Sequence, residues 1–163
     1  MNYEEYREQG EAEYDALSEV VRGILKGQIN DPANSLRCQP IQNRAKASMS
    51  LKKKLEARGL LGAENIEEEI KDLAGCRMIF YTNVEVNKFL QSRLITDNFD
   101  VDWEKSKFHE PIEDDDSRYV ATHYTVRLNA ETLAQEGMGR FEGMLCEIQV
   151  QTILNHAWAE TTH

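Results

Sequence analysis

An eight-residue stretch near the end of the chain, residues 145–152 (LCEIQVQT), constrains the fold more than any other segment. Apolar and polar residues alternate along it, as they do in a β-strand with two different faces. Successive side chains of a strand leave on opposite sides. One face is therefore predicted to hold Cys146, Ile148 and Val150, and the other Glu147, Gln149 and Gln151. Taken alone, this pattern is also that of an ordinary surface strand.

Two further segments have strong strand character. Residues 76–81 (CRMIFY) are too apolar for a sheet edge and are predicted to form an interior strand. Residues 119–128 (YVATHYTVRL) alternate, which places Tyr119, His123 and Arg127 on one face. Weaker strands are predicted within residues 36–44 and 98–108, and helices at residues 2–28, 48–58, 66–74, 84–94 and 153–162. The sequence thus predicts an α/β (α+β) fold with helices beside a sheet.

Length and composition exclude several classes of protein. The 163 residues suit one domain, 1–163, and the formal net charge of −10 argues against broad adhesion to nucleic acid or to an anionic membrane. Three cysteines without CxxC spacing favour a reduced, cytoplasmic protein. The first residues are polar and acidic, and no apolar run approaches membrane-spanning length.

Positive charge is concentrated in residues 44–58, where six basic residues and one acid carry +5 and leave −15 on the remainder. Such an island on an acidic protein indicates a small polyanionic ligand. Ser48 is a predicted N-cap and Gly59 a predicted helix stop. If the helical geometry starts near Lys46, then Lys46, Ser50 and Lys54 share one helix face, and with the free amides of the helix N-terminus they form a candidate phosphate-binding edge. A solvated, lysine-rich surface helix is the alternative.

Acidic residues are prominent at two other points. Asp72 precedes the apolar strand by a few positions, where a carboxylate either caps a turn or is held rigidly enough to bind a metal ion. Residues 110–116 (EPIEDDD) contain five acids and a proline, so we expect a loop there.

Taken together and in order, these segments resemble the synthetase domain of the RelA/SpoT family, the enzymes that make guanosine tetra- and pentaphosphate alarmones. Arg44, Lys46, Ser50 and Lys54 are similar to its RxKxxxSxxxK element, and residues 72–77 (DLAGCR) to its DLxGxR. Residues 119–123 (YVATH) are similar to YxSLH, and residues 147–152 (EIQVQT), followed by His156, to EIQxRT and a downstream histidine.

The resemblance implies a nucleotidyltransferase-like mixed sheet and an ATP-dependent pyrophosphokinase that acts on GDP or GTP with Mg²⁺. By resemblance, Asp72 and Glu147 would bind the metal, and Glu147 would alternatively take the proton of the attacking 3′-hydroxyl. Arg44 would stack on the adenine of ATP. The remaining implied contacts are to ATP phosphates from Lys46, Ser50, Lys54 and Arg77, and to the acceptor from Tyr119, His123 and Gln149.

The chain departs from the family pattern in two motifs. Gln151 stands where the family usually has Arg, and Ala121-Thr122 replaces Ser-Leu. The family usually continues beyond the position of His163, so we expect a missing C-terminal region. Two alternative functions stay open: a toxin-type relative that pyrophosphorylates the 3′ CCA end of tRNA, and a catalytically silent nucleotide-binding module. We predict a free guanine nucleotide as the acceptor because the charge outside residues 44–58 is strongly negative.

Overall fold

The computed structural model of the chain describes residues 1–108 and 121–153. Five strands form one mixed sheet in the order β1-β2-β5-β4-β3. Strands β2 and β5 are parallel, and the other neighbouring pairs are antiparallel. The strands are β1 (Gln42–Ala45), β2 (Ala74–Phe80), β3 (Phe99–Val101), β4 (Thr122–Leu128) and β5 (Cys146–Thr152). The predicted mixed sheet is confirmed, with β5 at its centre.

Helices lie before and between the strands. Their bounds are α1 (Tyr3–Glu5), α2 (Glu11–Ile29), α3 (Ser48–Arg58), α4 (Asn83–Gln91), α5 (Leu94–Asn98) and α6 (Ala130–Leu133), and a π-helical turn, Tyr6–Gly10, joins α1 to α2. Gly59 ends α3 with a left-handed φ of 68°, as predicted. No helix in the described part of the chain has the length and apolar character needed to cross a bilayer.

One face of the sheet is buried against α2. Cys146, Ile148 and Val150 point into this core, and each is no more than 1 % exposed. Polar contacts also fix the helix: Ser18 of α2 accepts a hydrogen bond from Asn43 Nδ2 at 2.9 Å, and its carbonyl accepts one from Cys76 Sγ at 3.4 Å. The alternation predicted for residues 145–152 is therefore confirmed, and the opposite face of the same strands is left to polar side chains.

Three predicted elements are shorter than expected. Residues 66–74 do not form a helix but one turn, in which Ile70 N–H donates to the Ile66 carbonyl. The segment then extends into β2. The candidate strand at residues 36–44 is reduced to β1 and an isolated bridge between Cys38 and Phe80, and β3 covers only the first part of residues 98–108. The predicted loop at residues 110–116 and nearly all of the predicted helix at 153–162 lie outside the described residues.

Candidate active site on the polar face of the sheet

Two rows of side chains cross the polar face of the sheet. Strand register places residues level with one another across β1, β2, β5 and β4. The first row is Arg44, Gly75, Glu147 and Thr125; the second is Gln42, Arg77, Gln149 and His123. The sheet thus brings predicted site residues from four separate segments onto one rigid surface.

A pocket of about 150 Å³ opens between these rows, and it is lined by Gln42, Asn43, Arg44, Gly75, Cys76, Arg77 and Gln149. Gly75 contributes no side chain to it. A methyl group at Gly75 would lie 3.7 Å from the Glu147 carbonyl, an ordinary contact, so the protein itself tolerates a side chain there. The glycine therefore leaves no side chain between Arg44 of β1 and Glu147 of β5, the residues level with it on either side.

Glu147 is the central carboxylate of this face and is only 6 % exposed. A buried carboxylate needs donors to offset its lost hydration. Gln149 Nε2 donates to Glu147 Oε1 at 3.0 Å, and His123 Nδ1 lies 3.6 Å from the same oxygen. Gln149 and His123 were predicted to contact the acceptor; in the structure Gln149 donates to the Glu147 carboxylate and the His123 ring lies beside it.

The second predicted carboxylate, Asp72, is ion-paired with two lysines. Lys46 Nζ lies 3.0 Å from Oδ2, and Lys54 Nζ lies 2.9 Å from Oδ1. Lys46 reaches this position because its backbone N–H donates to the Leu73 carbonyl at 2.8 Å, which continues the pairing of β1 with β2. Burial raises the pKa of Asp72, but the hydrogen bonds from Lys54 and Lys46 outweigh it and leave that pKa below its usual value.

The N-terminus of α3 differs from the prediction. Ala47, not Ser48, is the N-cap, and its side chain makes no capping bond. Instead the Glu11 carboxylate of α2 accepts hydrogen bonds from the backbone N–H and the hydroxyl of Ser48. A carboxylate at a helix N-terminus is favourable because it faces the positive end of the helix dipole. The protein's own anion therefore occupies part of the edge that was predicted to receive phosphate.

The remaining predicted residues fall in three groups. Arg44 is exposed on the pocket side of β1, and Ser50 is exposed on α3, one turn before Lys54. Arg77 lines the pocket beside Gln149. Tyr119, predicted to contact the acceptor, lies outside the described residues, as does His156. Lys46, Lys54 and Asp72, by contrast, are brought together by their ion pairs at the end of the sheet where β2 begins.

The donor set suits a magnesium ion. Asp72 precedes β2 and Glu147 is the second residue of β5, so both carboxylates belong to the same end of two adjacent parallel strands. Among residues 1–108 and 121–153, no three His, Cys, Asp or Glu side chains cluster as a metal cage. Mg²⁺ is commonly held by one or two carboxylates together with water and substrate phosphates, so two carboxylates beside a candidate phosphate site fit it.

Sequence reasoning missed several contacts within this site. The role of Gln149 had a local signal, because a residue two positions from Glu147 in a strand shares its face. The pairing of Asp72 with Lys46 and Lys54 spans 26 and 18 positions, and that of Glu11 with Ser48 spans 37. No local pattern connects positions so far apart.

Comparison with known proteins gives a consistent result. The family model described as a region found in RelA / SpoT proteins matches residues 43–163. A comparison with curated proteins found no match. The small alarmone synthetase 1 from Bacillus subtilis is similar in structure, with a TM-score of 0.73 and 21 % identity over 98 % of this chain and 78 % of that chain.

Two ligand-bound structures of the same Bacillus subtilis protein are also similar. The one bound to its product pppGpp has a TM-score of 0.72 and 20 % identity over 98 % of this chain and 78 % of that one. The one bound to AMPCPP has a TM-score of 0.68 and 18 % identity over 98 % and 76 %. At these identities the likeness establishes the fold. Since the family model extends over residues 43–163, which is most of the sequence, the chain belongs to the RelA/SpoT family.

Proposed function

We propose that this protein is an ATP-dependent pyrophosphokinase that transfers the β,γ-pyrophosphoryl group of ATP to the 3′-hydroxyl of GDP or GTP. The observation that carries the proposal is the buried Glu147 carboxylate, held by Gln149 and level with Arg44 and the side-chain-free Gly75. A carboxylate fixed in this way can accept a proton at a defined point beside a pocket. Family membership supports the choice of reaction.

In the proposed reaction the 3′-oxygen attacks the β-phosphorus of ATP. The bond from that phosphorus to the α,β-bridging oxygen breaks, AMP leaves, and Glu147 takes the hydroxyl proton. Negative charge develops on the phosphoryl oxygens during transfer and is countered by cations placed in advance. We assign this role to Lys46, Lys54 and Arg77, with Ser50 as a further phosphate contact and Arg44 against the adenine.

In this reaction Asp72 would hold Mg²⁺, which when bound neutralises and orients the phosphates. A role for Glu147 as a second metal ligand is the alternative to its role as the base. We assign acceptor binding to the β4 side of the face, where His123 lies, and to Tyr119. The Bacillus subtilis synthetase has been solved with AMPCPP and with pppGpp, which supports nucleotides as both donor and acceptor here. A cytoplasmic site of action, where both nucleotides are abundant and thiols stay reduced, is part of the proposal.

The acceptor is proposed to be a free guanine nucleotide rather than tRNA, for an electrostatic reason. Binding of tRNA needs many phosphate contacts over a wide basic surface. Here residues 44–58 carry +5 and the remainder of the chain −15. Lys46 and Lys54, which belong to this basic segment, are assigned to the donor. The tRNA reading is kept as the second candidate because Gln151 stands in place of the family's usual Arg.

Parallel transfer assays test the proposal. Protein is incubated with γ-³²P-ATP and Mg²⁺ together with GDP, GTP or deacylated tRNA, and the labelled products are separated. We expect label in GDP and GTP and negligible label in tRNA. Labelling of tRNA alone would establish the second candidate. Binding of ATP without transfer to any of the three acceptors would favour the silent nucleotide-binding module.

A further inference from the structure

Both oxygens of the Asp72 carboxylate are engaged by ammonium groups. Lys46 Nζ lies 3.0 Å from one oxygen, and Lys54 Nζ lies 2.9 Å from the other. The three side chains are between 21 % and 28 % exposed, so their charges are only partly screened by water. The cluster thus combines one carboxylate with two ammonium groups, a net formal charge of +1.

In this arrangement the internal ion pairs compete with both expected ligands, phosphate and metal. The lysines that would bind donor phosphates already contact an anion of the protein, and the carboxylate that would bind a metal ion already contacts two cations. A phosphate oxygen can replace a carboxylate oxygen as the partner of an ammonium group, since both are anionic acceptors. A divalent cation approaching alone meets a cluster with a net charge of +1 and is repelled.

We propose that Asp72 is the resident counter-ion of the donor-phosphate site: it occupies Lys46 and Lys54 until a polyphosphate displaces it, and only then is its carboxylate released to a divalent metal ion. The inference rests on the proposed function, because it concerns the same donor site. It adds that polyphosphate and metal bind with positive coupling, which thermodynamic linkage requires to be reciprocal. A residue that served only as a metal ligand would not compete with phosphate when metal is absent.

The first test measures phosphate binding without metal. Inorganic tripolyphosphate in EDTA is titrated into the full chain by isothermal calorimetry. The Asp72→Asn variant should bind it roughly tenfold more tightly than the wild type, the effect expected when two partly exposed ion pairs no longer compete. Asp97→Asn is the matched control, because it removes one unit of negative charge and one ion pair, with Arg93, away from the site. It should leave the affinity unchanged.

The second test measures metal binding without phosphate. Free Mn²⁺ is followed by electron paramagnetic resonance in the presence of wild type, Lys46→Met/Lys54→Met, or that double variant combined with Asp72→Asn. The double variant should bind Mn²⁺ at least several-fold more tightly than the wild type, because its carboxylate has lost both ammonium partners. Adding Asp72→Asn should abolish the gain. Thermal unfolding followed by circular dichroism checks that each variant is folded.

The outcomes separate the counter-ion role from the donor site itself. If Lys46→Met or Lys54→Met weakens tripolyphosphate binding and Asp72→Asn fails to strengthen it, the donor site stands and the counter-ion role is wrong. Equal Mn²⁺ affinity in the wild type and the double lysine variant would overturn the counter-ion role as well. If the lysine substitutions leave tripolyphosphate binding unchanged, the donor assignment in the proposed function is wrong, and the inference is wrong with it.

Discussion

The two faces of the central strands differ in what they contact, although neighbouring residues of one strand build both. Ile148 is completely buried in the core, whereas Glu147, its neighbour, lies on the polar face with Gln149 and His123. Packing fixes the strand from one side and leaves the other free to hold polar groups in set positions. The apolar face therefore makes the sheet rigid, and the polar face carries the candidate catalytic groups. Substitutions on the two faces should have separable effects on stability and activity.

The largest expected effect is on the polar face. Glu147→Gln should lower kcat about 10²- to 10⁴-fold, the range for removing a positioned general base, because a neutral amide of similar shape cannot take the hydroxyl proton. The free energy of unfolding should change little. Initial rates of label transfer to GDP measure the first quantity, and urea denaturation the second. Glu142→Gln, on the exposed loop before β5, is the control. Activity within a few-fold of wild type would exclude Glu147 as the base.

The neighbouring residue should show the opposite behaviour. Ile148→Ala leaves a cavity in the core and should lower the free energy of unfolding by about 2–5 kcal/mol. Measured below the unfolding transition and corrected for the folded fraction, kcat should stay within about threefold of wild type, a change below 1 kcal/mol. Urea denaturation and rate assays on the same preparation check both. A loss of kcat comparable to that of Glu147→Gln would contradict the conclusion that the two faces affect stability and activity separately.

The sequence alone predicted which residues of β5 lie on each face of the sheet, because the alternation that indicates this is a local pattern. An alternation of period two assigns Glu147 and Ile148 to opposite sides of any strand, so the prediction did not depend on knowing the partner strands. Residues 66–74 show the limit of the same method. Ile66, Ile70 and Leu73 are buried at the spacing of a helix, yet only one turn forms. The Ile66 N–H donates to the Met1 carbonyl, and the chain must then extend to enter β2.

The candidate site was predicted by the types of its residues rather than by their contacts. The resemblance to the RelA/SpoT synthetase domain implied that Lys46, Lys54 and Asp72 belong to one site. It did not indicate that they neutralise one another, because that requires the turn before β2 to meet α3 in space. The polar face combines residues from four strands, and side-chain pairing across strands depends on register, which the sequence of one strand does not contain.

Gln149 should show an intermediate effect that sharpens the description of the polar face. Gln149→Ala removes the donor to Glu147 Oε1 and should lower kcat roughly tenfold, as for one hydrogen bond to a charged group, with little change in KM for GDP. Steady-state kinetics with GDP varied measures both constants. Gln91→Ala, at the exposed end of α4, is the matched control. A rise in KM with kcat unchanged would show that Gln149 contacts the acceptor instead of positioning Glu147.

The smallest expected effect concerns Glu11, a charged residue of the helix that packs on the apolar face of the sheet. Glu11 belongs to α2, and its carboxylate caps α3 through Ser48. If Glu11 serves only as a helix cap, Glu11→Ala should lower the free energy of unfolding by about 0.5–2 kcal/mol, the usual cost of losing a cap. KM for ATP should stay unchanged. Glu13→Ala, an exposed acid in the same first turn of α2, is the control for a change of charge.

The same variant tests whether the N-terminus of α3 belongs to the donor site. With Glu11 in place, the Ser48 amide already donates to a carboxylate, so donor phosphates would have to displace it. If phosphates do contact this terminus, removing the carboxylate would expose the amide and lower KM for ATP, while Glu13→Ala would not. Unfolding by urea and ATP-dependent rates on both variants distinguish the two cases. An unchanged KM would show that the donor phosphates do not contact the Ser48 amide, and would leave Glu11 as a structural cap.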